Sequence, residues 1–152
     1  MPEQPHPADV APARIRDQPT WLIRRAFARS SGLLNDGFVS HGAGLRSYHY
    51  RLLAALDEWG PASQANLGRN TGIDRSDVAA ALSELADRGL IERAVDPDDR
   101  RRNIVSITRL GVKQLGVLDR VISDIQEQLL APLSPTERRQ FIKLLRRVLD
   151  AS

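Results

Sequence analysis

The sequence predicts a mainly α-helical chain with one small β-hairpin, and three observations predict it. Apolar residues recur at intervals of three and four through most of the 152 residues, which is the spacing of one helical face. Two short segments rich in β-branched residues, Leu90 to Val95 and Asn103 to Thr108, flank a tight polar turn, the pattern of a hairpin. Capping residues, glycines and prolines stand between the periodic stretches, where helices start and stop. Hydrophobic residues at 41% and charged residues at 27% are the composition of a globular domain.

The elements follow in order. Residues 1–18 hold Pro2, Pro5, Pro7 and Pro12 with little apolar pattern and read as a mobile arm or irregular lead-in. Pro19 and Thr20 open a first helix whose stripe is Ile23, Phe27, Ser30, Leu34 and Phe38, broken by Gly42 and Gly44. A second helix carries Leu45, Tyr48, His49, Leu52, Leu53 and Leu56 on one face and ends at Trp59-Gly60-Pro61. Ser63 caps a short third helix anchored by Leu67, with Gly72 just past its end. Asp74 caps a fourth, with Val78, Leu82 and Leu85 inward and Gly89 as its stop. The hairpin comes next, with Ile91, Arg93 and Val95 on one face of its first strand. Thr108 caps a long fifth helix with Leu115, Leu118, Ile122, Ile125 and Leu129 in register, ended by Pro132. Ser134-Pro135-Thr136-Glu137 forms a capping box that starts a sixth helix, expected to bury Phe141, Leu144, Leu145 and Val148.

This order divides the chain into an arm (1–18), a first outer helix (19–44), a winged helix-turn-helix (45–108) and two C-terminal helices (109–152). A small winged unit cannot cover the long stripes of the outer helices, and an amphipathic helix must bury its stripe somewhere. The same helices in a second copy are the expected cover, so the outer helices form a dimerisation domain with two-fold symmetry.

Composition narrows the function. The absence of cysteine excludes disulfides, thiol catalysis, thiol redox sensing and thiolate-bound metals. Twenty-two basic and 19 acidic residues leave a net charge of +3, and Lys113 and Lys143 are the only lysines. Arginine is the side chain suited to phosphate and base-edge recognition, although a GC-rich genome accounts for the enrichment equally well. No apolar run approaches the roughly 20 residues that cross a bilayer, and no basic–apolar–small leader pattern opens the chain, so no membrane role and a cytoplasmic location are expected.

The nucleic-acid chemistry falls on two segments. Thr71-Gly72-Ile73 permits the sharp turn of a helix-turn-helix, whose second helix enters the major groove. The outward face of that helix holds Arg75, Ser76, Ala79, Ala80 and Ser83, small enough for close approach to base edges, with Arg75 placed for a guanine or a phosphate. Asp77 orients Arg75, accepts from a cytosine amine, or serves only the cap. Ser63 and Gln64, at the start of the preceding helix, complete the expected contacts there. The hairpin turn sets Asp96, Asp98 and Asp99 against Arg100, Arg101 and Arg102. It is not a simple basic patch but a turn whose carboxylates hold arginines extended, one of them aimed at the minor groove.

These residues resemble the multiple-antibiotic-resistance regulator (MarR) family. The resemblance rests on Asp99, Arg101, Ile107, Thr108 and Gly111 at the family's wing spacing and on the lead-in Gly89-Leu90-Ile91-Glu92-Arg93, and it extends over about residues 20–150. It implies a homodimeric transcription regulator, usually a repressor, on a pseudo-palindromic operator of double-stranded DNA. It also implies that Arg101 is the minor-groove residue and Asp99 its partner within the wing. A small, often phenolic or lipophilic anion would bind between the winged unit and the dimer interface and release the DNA.

Candidates for that effector site are Trp21 and Arg25 on the first helix and Tyr48 and His49 on the second. An aromatic wall, a cation and a hydrogen-bonding pair suit an aromatic acid or phenol; an aromatic core with a surface arginine is the other reading. Catalysis has no support, since there is no nucleophile elbow, P-loop or carboxylate pair set into a pocket. Asp96, Asp98 and Asp99 lack the alternation, central glycine and terminal glutamate of a calcium loop, and His41 with His49 makes a poor metal site, so neither metal nor cofactor is expected. The surviving rival is a winged module that binds protein instead of DNA, because Asp74, Asp77, Glu84 and Asp87 outnumber Arg75 and Arg88 on the fourth helix.

Overall fold

The computed structural model describes residues 11–151. Of the expected arm, residues 1–10 lie outside the described residues. Pro12 to Gln18 is a hydrogen-bonded turn in which the amides of Ile15 and Arg16 donate to the Pro12 carbonyl and Gln18 donates to Ile15. The elements are α1 (Pro19–His41), α2 (Ser47–Trp59), β1 (Ala62–Ser63), α3 (Gln64–Thr71), α4 (Arg75–Asp87), β2 (Ile91–Val95), β3 (Asn103–Ile107), α5 (Arg109–Leu130) and α6 (Pro135–Leu149).

The core gathers where α2, α4 and α5 meet the sheet. Leu52, Leu53 and Leu56 of α2, Val78, Leu82 and Leu85 of α4, Val105 of β3 and Leu118 of α5 are all buried. Each such side chain stabilises the fold by roughly 1.5–3 kcal/mol relative to an exposed one. Leu45 belongs to the same core although it precedes α2. The junction glycine Gly111 is dictated by packing: a Cβ there would overlap the Leu90 carbonyl oxygen. Thr108 secures the same corner, its hydroxyl donating to the Gly89 carbonyl (2.7 Å) and accepting from the Gly111 amide (3.0 Å).

The structure refines three expectations. The hairpin is part of a three-stranded antiparallel sheet of order β1-β3-β2, because Ala62 and Ser63 pair with Val105 and Ile104. A two-residue strand carries too little periodicity to be read from sequence. Of Ile91, Arg93 and Val95, which share one face of β2, only Ile91 is buried; Arg93 and Val95 are exposed, since the hairpin projects beyond the helices that would cover them. Finally, α6 buries none of Phe141, Leu144, Leu145 and Val148 within the chain. On α1 the pattern is split along its length: Phe38 is buried, while Leu22, Ile23 and Phe27 are exposed. Among the described residues no helix is long and apolar enough to cross a membrane.

Candidate nucleic-acid interface

The helix-turn-helix is assembled from local signals. The Ser63 hydroxyl accepts from the Asn66 amide at 3.3 Å and starts α3. Gly72 ends it in the left-handed conformation (φ 68°), which a side chain would strain. Asp74 Oδ1 accepts from the Arg75 amide at 3.0 Å at the start of α4. With Val78, Ala81, Leu82 and Leu85 inward, α4 leaves Arg75, Ser76, Asp77 and Ala80 exposed and Ala79 and Ser83 half-buried. The outward surface is therefore low, as close approach to a groove floor requires. Ser63 is buried as cap and strand residue, so of the pair at the start of α3 it is half-buried Gln64 that has access to solvent.

The wing tip is ordered by its acids. Asp96 is buried, accepts from the Asp98 amide (2.9 Å) and lies 3.5 Å from Arg102 Nη2. Asp99 Oδ1 accepts from both the backbone amide and the Nε of Arg101, each at 3.1 Å. These hydrogen bonds from Arg101, side chain and then backbone, hold the Asp99 carboxyl below the usual carboxylate range. The Arg101 side chain is 91% exposed. Because Asp99 engages only Nε, the two terminal guanidinium nitrogens point onward as donors. Arg100 stands exposed beside it. Between the wing base and the starts of α3 and α4 runs a cleft of about 780 Å³ lined by Gln64, Arg69, Arg75, Arg101 and Arg102, among others. Of the readers expected from sequence, Ser63, Gln64 and Arg75 line this cleft together with Arg101 and Arg102 of the wing, and α3 adds Arg69, which the sequence reading passed over.

The four effector candidates are not brought together within one chain. Arg25 stacks over the Trp21 ring, 5.1 Å from its centroid, in the first turns of α1. Tyr48 and His49 form a second pair with ring centroids 4.4 Å apart. Tyr50, two residues on from Tyr48, packs against Phe38 (ring centroids 6.5 Å), thirteen residues along α1 from Arg25, so at about 1.5 Å rise per residue the two pairs are set roughly 20 Å apart along α1. His49 is also committed: it is buried, its Nδ1 accepts from the Arg46 amide (2.9 Å), and its Nε2 lies 2.6 Å from Glu84 Oε2 without hydrogen-bond alignment. Burial pushes the His49 ring below its ordinary value against the pull of Glu84. Glu84 of α4 and its C-cap Arg88, which the sequence reading counted only as charges, therefore anchor the helix to the α1–α2 region. The Gly42-Ala43-Gly44 turn foretold a bend there, but nothing local names the arginine that closes on it.

Low helix face, ordered wing and intervening cationic cleft together define a winged helix-turn-helix protein. The comparisons carry this further, and the chain belongs to the MarR family of transcription regulators. Residues 43–102 match the MarR family profile. The HTH-type transcriptional repressor NicR of Pseudomonas putida is 30% identical over 145 residues, 95% of this chain and 90% of that protein. Among solved structures, BpsR of Bordetella bronchiseptica, whose DNA binding is regulated by 6-hydroxynicotinic acid, superposes with TM-score 0.80 at 27% identity, covering 93% of this chain and 100% of that one. PcaV of Streptomyces coelicolor, solved with its natural ligand, gives TM-score 0.76 at 32% identity over 93% and 99% of the two chains. The protein is a regulator and not an enzyme.

Proposed function

We propose that the chain is a homodimeric, cytoplasmic repressor that binds a pseudo-palindromic operator through α4 and the wing and is released by a small aromatic acid. The observation that carries the DNA-binding part is the wing tip. Asp99 holds Arg101 outward with its terminal nitrogens free, on the same surface as the low face of α4. Arg101 enters the minor groove, Arg75 and Ser76 meet the major groove or its phosphates, and Arg69, Arg100 and Arg102 contact the backbone. A second copy covers the apolar face of α6 and the exposed start of α1, which spaces two readers along the duplex.

The effector class rests on the likeness to BpsR, whose DNA binding responds to a hydroxylated heteroaromatic acid. In this chain the Trp21–Arg25 pair offers a ring face and a cation for such an anion. With His49 committed to Arg46 and Glu84, this pair is the better-supported part of the candidate set.

The test is fluorescence anisotropy on the protein's own upstream DNA, with and without 6-hydroxynicotinic acid and simple hydroxybenzoic acids. Arg101→Ala should cost about 1–3 kcal/mol of operator affinity and leave the assembly intact. Arg25→Ala should raise the acid concentration needed for release while leaving operator affinity unchanged. Binding must also weaken steeply as salt rises. Salt-independent behaviour, with wild-type affinity in Arg101→Ala, would return the protein-docking reading.

A further inference from the structure

The α1–α2 junction is a strained turn whose exposed carbonyls are held by the fourth helix. Ala43 has φ 52° and is the one non-glycine residue with positive φ among the described residues; Gly44 follows at φ 82°. A non-glycine residue in that region persists only where its surroundings over-determine it. Here the surroundings are Arg88, the C-cap of α4: its Nη1 donates to the Ala43 carbonyl (2.7 Å) and its Nη2 to the Gly44 carbonyl (3.4 Å). The fit is close, for a Cβ on Gly44 would stand 2.7 Å from Arg88 Nη2 and would make the guanidinium shift. One turn earlier on α4, Glu84 reaches His49, which in turn accepts from the amide of Arg46 at the start of α2. Arg46 closes the circuit by donating through Nη1 to Asn35 Oδ1 on α1 (3.3 Å).

Two side chains of α4, one helical turn apart, thus grip the bend where the outer helix α1 ends and the winged unit begins. We infer that Arg88 and Glu84 are positioning residues that set the angle of α4 on DNA by tying it to this turn, so that a displacement of α1 reaches the reading face through Arg88. The guanidinium spans two consecutive carbonyls, so it follows the turn as a unit and cannot keep both bonds if the turn relaxes. The inference rests on the DNA-reading function proposed above, and it concerns orientation, not contact: neither residue is among those assigned to the duplex.

The experiment compares two affinities for each protein. One is for a duplex enriched from a random pool by the wild-type protein; the other is for poly(dI-dC), which reports the electrostatic, sequence-independent component. The variants are Arg88→Ala, the charge-preserving Arg88→Lys, and Gly44→Ala, which alters the turn without altering charge. Circular dichroism melting confirms that each is folded at the assay temperature. Arg88→Ala should weaken the selected duplex about tenfold with little change on poly(dI-dC), and the other two should shift the ratio the same way by less. If Arg88→Ala does not fold, Arg88→Lys and Gly44→Ala carry the comparison. Folded variants with an unchanged ratio overturn the relay while leaving the DNA-reading function standing. A wild-type protein that enriches no sequence overturns that function and the relay with it.

Discussion

The two ends of this chain use the same residue pattern to opposite effect. In the winged unit the periodic leucines of α2 and α4 are all covered by their own chain, with Leu52, Leu53, Leu82 and Leu85 at 0% exposure. In α6 an equally regular stripe leaves Leu144 55% and Val148 62% exposed, and no residue of that helix is buried. Polar anchoring separates the regions as well. The winged unit ties its helices across long sequence distances, through Arg88 to Ala43 and Glu84 to His49, and Tyr50 donates to Asp119 of α5 at 2.9 Å. By contrast, the polar contacts of α6 are local: its own capping box, Arg139 to Thr136, and Arg138, which donates to Glu127 and to the Leu130 and Leu133 carbonyls close by. The lesson is that amphipathic spacing states that a face will be covered and leaves open which molecule covers it.

The comparison can be broken most severely at α6. If the proposed dimer forms through α6, Phe141→Asp with Leu145→Asp should reduce it to single chains, read by light scattering behind a sizing column, because two desolvated charges cannot be accommodated in an apolar interface. A wild-type mass of two chains that survives the substitutions would place the joining surface elsewhere, and a wild-type mass of one chain would overturn the proposed dimer. Within the winged unit, Leu85→Ala should lower unfolding free energy by about 2–5 kcal/mol in denaturant titration, the range for a core leucine, at a protein concentration where the assembly mass is unaltered.

A subtler difference lies in pH. Burial first, and then Arg88 and Arg46, depress the His49 ring in the folded chain, while Glu84 partly opposes them. The unfolded chain, titrating near the ordinary 6.5, takes up the proton first. Stability at this residue is therefore intact above that pH, falls as pH drops through it, and is fully lost below the folded-state value. His49→Gln should flatten the dependence of unfolding midpoint on pH below 6.5; an unaltered slope would mean that other groups set it. The smallest effect belongs to the α6 start: Ser134→Ala should remove about 1 kcal/mol, visible as faster amide exchange in the first turn of α6 and not in α4.

Much of the fold was legible in order and type. Ser63, Asp74, Thr108 and Ser134 are read as helix caps; Ser63, Thr108 and Ser134 each accept the amide three residues on, while Asp74 accepts the adjacent Arg75 amide. These are interactions over one to three residues, which a sequence displays directly. That the wing's carboxylates hold its arginines is likewise local, and the particular Asp99–Arg101 pair, which the family resemblance implies, forms two residues apart in the turn. The effector candidates fared differently because their grouping depends on where α1 points, and spacing along one helix says nothing about its distance from the next. His49 illustrates the limit: its place on the inward stripe was plain, whereas its commitment to Glu84, thirty-five residues away, was not.

By itself the sequence determined what is local: helix starts and stops, the left-handed turn at Gly72, and the acid-held arginine of the wing, because short-range hydrogen bonds and backbone sterics need no distant partner. Only the tertiary structure decided that β1 joins the hairpin, that α6 stays uncovered within one chain, and that Arg88 closes on the carbonyls of Ala43 and Gly44. Those outcomes depend on which surfaces meet when the whole chain condenses, a competition among many apolar faces that no single segment contains.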